Sequence, residues 1–361
     1  MKKIGIIAEY NPLHNGHLYH FNEIKRLSNP DLIITIISSS FTMRGDLSIY
    51  DKFTKAKQVL SLGSDIVLEL PFMYTLQRAD IFASNTVDFL SLANVDEIWI
   101  GSEENNIYLY EECYQKEKNI NLDNSLSLKK NTIECYPFNA NDLLGYFYYK
   151  RIKDKGYNIK LKTIKRIKSS YNSKELESDS IASATSIRYN LDKIEQYCPD
   201  FVYKDNKILD EELLFPFIKY KILSATNTYL KNIFMVDEGI ENRLLTISNI
   251  NSLEELIKYL SNKKYSHTRM KRMLMYILMD ITKNEVNTIL NNDIAFIRVL
   301  GFNNKGREYL NKIKKNIQIY TNIKNNDNLA LAIELKISKI LDLIYNTNLL
   351  KLEQIGPIKG E

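Results

Sequence analysis

Two histidines three residues apart, with a glycine just before the second, form the sharpest chemical feature of the chain. They close the stretch Glu9-Tyr10-Asn11-Pro12-Leu13-His14-Asn15-Gly16-His17. Its Asn-Pro and Asn-Gly steps mark a turn, and the pattern after it is helical. A helix N-terminus presents unpaired N–H groups and the positive end of the helix dipole, so it attracts anions. Gly16 lets a phosphate approach the backbone closely. His14 and His17 are catalytic candidates: they can donate hydrogen bonds to phosphoryl oxygens and stabilise the charge that develops as pyrophosphate leaves. A metal pair is the other use of this spacing. Neither the remaining histidines, His20 and His267, nor Cys113, Cys135 and Cys198 complete a zinc site, and no metal ligand is assigned.

A second element fits the same chemistry. In Ile181-Ala182-Ser183-Ala184-Thr185-Ser186-Ile187-Arg188, Ser183 or Thr185 could cap a helix, and Arg188 could clamp a phosphate. Alone, the same residues would read as an ordinary capped helix.

These pieces need a scaffold, and the first ~190 residues supply one by alternation. Apolar runs at Ile4–Ala8, Asp31–Ser38, Asp65–Leu70, Glu97–Ile100 and Ile159–Ile164 predict strands. Helical patterns fall between them, at His17–Leu27, Asp51–Leu62, Gln77–Ala93 and Asn141–Lys153, with another opening at Ala182–Asn190. This is an α/β pattern: a parallel, Rossmann-like sheet with right-handed crossovers, whose ligands sit beyond the carboxyl ends of the strands. Glu9, Ser38–Ser40, Glu69 and Gly101–Glu103 lie at such ends. A polar stretch near 106–140 reads as a helical insertion. Taken with it, 1–192 forms the nucleotide-binding unit, and 193–361 reads as an all-α domain, with Ile317–Thr321 a short helical piece and Gln354–Glu361 a loosely held tail. The α region carries basic runs at 263–272 and 312–315. In the first, Lys264, Tyr265, Arg269 and Arg272 combine phosphate-seeking charge with a stacking ring, as RNA contacts require. A solvated helix face is the competing reading of both runs.

Composition narrows the field. At 361 residues, two domains are expected. With 44% hydrophobic and 26% charged residues the chain is not disordered. The net charge of +5 is compatible with a polyanionic partner and too small to demonstrate one. Glu9 interrupts the first apolar run, and no stretch reaches the length of a secretory h-region or a membrane span. Three cysteines, an odd number, argue against a disulfide framework. The expectation is a soluble cytoplasmic protein with no membrane or DNA partner.

The His-Asn-Gly-His element resembles the HxGH signature of the HIGH-type nucleotidyltransferase superfamily, and Ile181–Arg188 resembles its second phosphate element. Further segments are Phe41–Gly45, Asp65–Pro71, Gly101–Glu103, Asn141–Tyr146, Glu238–Leu244, Lys264–Arg269 and Ile297–Phe302. Together they make the chain, from Lys3 to about Lys305, similar to the bacterial tRNA(Met) cytidine acetate ligase family. That resemblance implies an enzyme that joins acetate and ATP into acetyl-adenylate and passes the acetyl group to N4 of the wobble cytidine of elongator tRNA(Met). Carried over by motif, the ATP site would comprise Ile7, Ala8, Glu9, Tyr10, Asn11, Pro12, Leu13, His14, Asn15, Gly16, His17, Leu18, Tyr19 and His20, with Gly101, Asn141 and Arg166. Ser183, Thr185 and Arg188 would complete it. Mg²⁺ would ride on the ATP phosphates and need few protein ligands. The chain departs from the family pattern at Ser38–Ser40, Met43 and Leu47, all near the expected acceptor-base pocket.

The chemistry agrees with that assignment. Acetate needs a compact cationic or N–H-lined spot, and Arg44 is a candidate unless it serves a surface ion pair. The cytosine amine is a weak nucleophile, which explains activating acetate first. Glu9, Glu69 or Glu103 could accept its proton, and the sequence does not choose among them. Two rival functions remain: a small-molecule adenylyltransferase, and a non-catalytic RNA-binding protein on a nucleotidyltransferase fold. The ~170-residue basic helical region argues against the first, and the complete set of His, Ser/Thr and Arg against the second.

Overall fold

The structure is a computed structural model. It describes residues 1–119, 138–166, 181–204, 206–324 and 328–360. Its frame is a mostly parallel sheet built from β1 (Lys3–Ala8), β2 (Leu32–Ser38), β3 (Ile66–Leu70), β4 (Glu97–Ser102), β5 (Lys160–Lys165), β6 (Phe296–Phe302), β7 (Gln318–Tyr320) and β8 (Ile358–Lys359). The spatial order is β5-β4-β1-β2-β3-β6-β7, with β8 also pairing to β6. The five strands from the first half are parallel, and β6 runs antiparallel to β3. β2 and β3 are buried along their whole length, which is why they read as unbroken apolar runs rather than alternating ones.

Local signals explain the helix boundaries. The Lys52–Leu62 helix starts where Asp51 accepts from the N–H groups of Phe53 and Thr54, and it stops at Gly63, whose φ of +108° is left-handed. The crossover helices Asn15–Ser28, Ala79–Leu92 and Ala140–Lys155 match the sequence pattern to within a few residues. In the expected insertion, Tyr108–Asn119 is helical, and 120–137 lies outside the described residues.

The region beyond residue 192 is predominantly helical, as read, and the all-α expectation fails at three places. Phe296–Phe302 is a strand inside the central sheet. Its apolar run is interrupted by Arg298, but that charge is fully buried and answered by Glu353, whose Oε2 lies 2.9 Å from Nη2. Ile317–Thr321 holds strand β7 rather than a helix. The tail read as loose is tied down by β8, whose Ile358 and Lys359 pair with Gly301 and Phe302. The sheet therefore takes strands from both sides of residue 192. Helices at Lys283–Leu290 and Asn304–Ile313 were not anticipated. No helix among the described residues is long and apolar enough to cross a membrane.

Candidate functional site

A cavity of about 270 Å³ opens at the carboxyl ends of β1, β4 and β5. Its walls come from the end of β1 and the turn after it, the first turns of the Asn15–Ser28 helix, the loop 42–46 after β2, and the Ala184–Tyr189 helix. Of the residues expected in a nucleotide site, it is lined by Ile7, Ala8, Glu9, Tyr10, Asn11, His14, Gly16, His17, Tyr19, His20, Gly101, Asn141, Arg166, Ser183, Thr185 and Arg188. Arg44 lines it too. Pro12, Leu13, Asn15 and Leu18 do not; Leu13 is core and Leu18 packs against the core.

The histidine pair is built into the helix start. His14 is the N-cap, and its Nδ1 accepts the Gly16 N–H at 3.1 Å. His17 reaches back, and its Nδ1 accepts the His14 N–H at 3.2 Å. This is a reciprocal capping box made of two imidazoles. Because each Nδ1 is an acceptor, each ring carries its proton on Nε2. Neither Nε2 has a protein partner among the described residues, and both rings line the cavity. The rings lie 3.8 Å apart, and Tyr10 meets His17 edge-on at 4.8 Å. Burial, and secondarily the Arg166 charge, pushes His14 down to about 3. Burial and the neighbouring His14 hold His17 well below its ordinary value. The pair thus offers two neutral N–H donors. Gly16 is required for a reason the sequence did not show: a Cβ there would sit 2.8 Å from Cε1 of His14 and displace the ring.

The other walls are held by polar contacts. Gly101 leaves room for Arg166, whose Cγ would lie 3.1 Å from a Cβ there. Arg166 pairs with Glu103 at 3.3 Å, and Asn141 donates to the same carboxylate at 2.5 Å. Buried Asp142 fixes this corner by accepting from the Ser102 hydroxyl, from Tyr110 at 2.7 Å and from the N–H groups of Glu103 and Glu104. Ser183, not Thr185, caps its helix, accepting the Ser186 N–H at 3.0 Å. Arg188 donates to the Asn11 carbonyl at 2.6 Å and lies 3.9 Å from Asp46.

Three features were missed in the sequence. Lys55 is fully buried, and its Nζ donates to the carbonyls of Ser38 and Ser39 at 2.8 Å each and to Ser48 at 3.0 Å, holding the end of β2. Lys52 is also fully buried, among Glu69, Glu334 and Glu353. Lysines one turn apart on a helix read as a solvated face, so no local signal marks them. Asp46 joins the cavity loop to the helical region through Lys271 at 2.5 Å.

The expected RNA-contact residues stand apart from the cavity lining. Lys264 is exposed and paired with Glu238. Arg269 lies over the Tyr265 ring at 5.0 Å, and Tyr265 is buried, donating to Glu238 at 2.5 Å. Arg272 faces inward, toward the carbonyls of Met43 at 3.4 Å and Gln77 at 3.2 Å.

A doubly wound sheet with a histidine-capped helix facing its strand ends defines a nucleotidyltransferase. The family described as HIGH Nucleotidyl Transferase matches residues 1–354. A Staphylococcus aureus (strain MRSA252) protein named tRNA(Met) cytidine acetate ligase is 35% identical, covering 95% of this chain and 96% of its own. Its counterpart in strain JH9 is 34% identical over the same shares. Thermotoga maritima TmcAL bound with alpha-thio ATP superposes with a TM-score of 0.83 at 25% identity, covering 99% of both chains. The apo form of that protein shares the fold, with a TM-score of 0.86 at 24% identity and the same coverage. The chain belongs to the tRNA(Met) cytidine acetate ligase family and is an enzyme, a ligase on the HIGH nucleotidyltransferase fold.

Proposed function

We propose that this ligase forms acetyl-adenylate from acetate and ATP, then transfers the acetyl group to N4 of the wobble cytidine of elongator tRNA(Met). The observation that carries the reading is the pair of Nε2–H donors that His14 and His17 offer to the cavity at a helix N-terminus. Fixed neutral donors of this kind stabilise charge as it develops on the leaving pyrophosphate, without the cost of reorienting water. Arg166 and Arg188 supply positive charge to the cavity, with Mg²⁺ carried in on the ATP phosphates. The end walled by Gly101, Asn141 and Arg166 takes the nucleoside, and the end walled by Arg44 and the 42–46 loop takes acetate and the acceptor base. Residues 1–192, with the sheet completed by β6, β7 and β8, act as the catalytic unit and the helices of 193–361 as the tRNA-binding unit, and the enzyme works in the cytoplasm, where ATP and tRNA meet.

Among the residues proposed for tRNA, Lys264 and Arg269 are the outward-facing pair, packed on the buried Tyr265 ring, whereas Arg272 acts from inside on the cavity loop. The test is acetate-dependent ATP–pyrophosphate exchange, followed by transfer of labelled acetate to tRNA(Met). Labelling from acetyl-coenzyme A without ATP would refute the reading. Exchange with no transfer to tRNA would favour the small-molecule adenylyltransferase instead.

A further inference from the structure

Three strand-end carboxylates compete in the sequence for the acceptor proton, and the structure separates them. Glu69 is fully buried beside Lys52 and Arg298 and does not line the cavity. Glu103 is held by Asn141 and Arg166 and does not line it either. Two carboxylates do line it, Glu9 and Asp46. Asp46 is engaged by Lys271 at 2.5 Å and Arg188 at 3.9 Å. Glu9 stands one residue beyond β1, in the turn that leads to His14. Its Oε1 accepts the Met43 N–H at 2.6 Å, which fixes the side chain against the 42–46 loop. Its Oε2 accepts no hydrogen bond among the described residues and is not sealed off from the cavity.

We propose that Glu9 is the general base of the transfer step, its Oε2 taking the proton released by the attacking exocyclic amine of cytosine. The inference rests on the acetate-ligase reading above. The amine nitrogen bonds to the acetyl carbonyl carbon. The bond from that carbon to the phosphate oxygen of the adenylate breaks, AMP leaves with the electron pair, and the amine proton passes to Glu9. An amine of this kind becomes strongly acidic only as it attacks, so a base already in place lowers the barrier.

The surroundings suit the role. Burial raises the Glu9 carboxyl above its ordinary range, nearer the working pH; the Met43 N–H, Lys55 and Arg44 oppose that rise and Asp46 adds to it. The other titratable and charged groups on the cavity walls are His14, His17, His20, Lys165, Arg166 and Arg188, with the tyrosines Tyr10, Tyr19 and Tyr148.

The experiment preloads the enzyme with ATP and acetate, mixes it with tRNA(Met) transcript and follows single-turnover transfer from acid to neutral pH. The wild-type rate is expected to rise with pH to a plateau. Glu9→Gln keeps an acceptor for the Met43 N–H, so the loop stays in place. Its transfer is expected to fall on the order of 10²–10⁴-fold and to lose the rising limb, while pyrophosphate exchange falls by a much smaller factor. Glu9→Asp is expected to keep the limb with a lower plateau. A Glu9→Gln enzyme that retains the wild-type pH profile, or loses exchange and transfer in equal proportion, overturns the base assignment alone. A wild-type enzyme that makes no acetyl-adenylate overturns the parent reading and this inference with it.

Discussion

Two clusters of titratable groups sit at the carboxyl ends of β1 and β3, with β2 between them, and could hardly be more different. Beyond β1, Glu9, His14 and His17 face a cavity with donor and acceptor capacity left over. Around β3, Glu69 is closed in with Lys52, Arg298, Glu334 and Glu353, all fully buried. There most polar groups are answered from within: Lys52 Nζ lies 2.6 Å from Glu69 and 2.8 Å from Glu334, and Ser39 and the Phe72 N–H donate to Glu334, while Glu69 Oε2 and Arg298 Nε face each other at 3.6 Å without a hydrogen bond. The plug is supplied by the Leu329–Tyr345 and Leu349–Ile355 helices, which bring Glu334 and Glu353 from the far end of the chain. Charge at a strand end therefore does not make a site. What makes one is a group whose capacity the fold leaves unspent and open to a cavity.

Breaking the closed cluster should give the largest effect. Its three carboxylates outnumber its two cations, and burial raises the Glu69 carboxyl, with Lys52 opposing that rise and Glu334 adding to it. Burial therefore biases the surplus carboxyl, Glu69, toward its neutral form. Lys52→Met should cost about 3–5 kcal/mol in urea unfolding, because it strands buried carboxylates. Glu69→Gln should cost far less, since it replaces a group already inclined to be neutral. Equal losses in the two variants would mean that the cluster carries no surplus charge.

The open cluster should respond in the opposite way, losing activity and keeping the fold. His17→Ala removes one cavity donor and one half of the capping box. Pyrophosphate exchange should fall on the order of 10²–10³-fold, with a stability loss of only about 0.5–2 kcal/mol. A folded His17→Ala enzyme with unchanged exchange would end the adenylation assignment.

How much of this was legible follows the same division. The strand–helix alternation and the HNGH turn were readable because they rest on local signals: apolar runs, an Asp51 cap, Gly63 at a helix end and histidines flanking a glycine. The cavity lining was largely recovered by motif for the same reason. Strand β6 was missed because Arg298 breaks the apolar run, and its partner Glu353 lies 55 residues away. Lys52 and Lys55 were missed because lysine on a helix normally faces water, and only long-range carboxylates and carbonyls make burial tolerable. Arg272 was read outward because the run around it is basic. The approach of its helix to the cavity loop needs Gly45, where a Cβ would come within 2.7 Å of the Arg272 backbone nitrogen.

Acid titration should separate the two clusters by sign. Burial holds His14 near 3 and His20 near 4, and it holds His17 well below its ordinary value with help from His14. In the unfolded chain they titrate near ~6.5. As pH falls below that value, the unfolded chain binds protons that the folded chain does not, so stability falls, by about 1.4 kcal/mol per pH unit for each such proton. Glu69 works the other way: its folded pKa is raised, so its contribution is present at low pH and is lost as pH rises through the folded value. Urea midpoints measured from neutral pH downward should drop, less steeply in His20→Gln and more steeply in Glu69→Gln. A wild-type midpoint indifferent to acid would show that the histidines are not held neutral.

The smallest effect concerns the helical region, where outward and inward basic residues should part company. Lys264 and Arg269 lie over the buried Tyr265 ring, while Arg272 holds the carbonyl of Met43, the residue whose N–H in turn holds Glu9. If Lys264 and Arg269 meet the tRNA backbone, neutralising both should weaken tRNA binding and flatten its salt dependence by about 0.7–0.9 for each phosphate no longer neutralised. Arg272→Gln should leave that slope nearly intact and instead slow transfer, because the loop that fixes the Glu9 carboxylate loses one of its supports from the His267–Leu278 helix, the Lys271–Asp46 pair remaining. A salt titration of tRNA affinity beside a single-turnover transfer assay reads both quantities on each variant. A flattened slope in Arg272→Gln would return that residue to the RNA surface and uncouple the helix from the cavity loop.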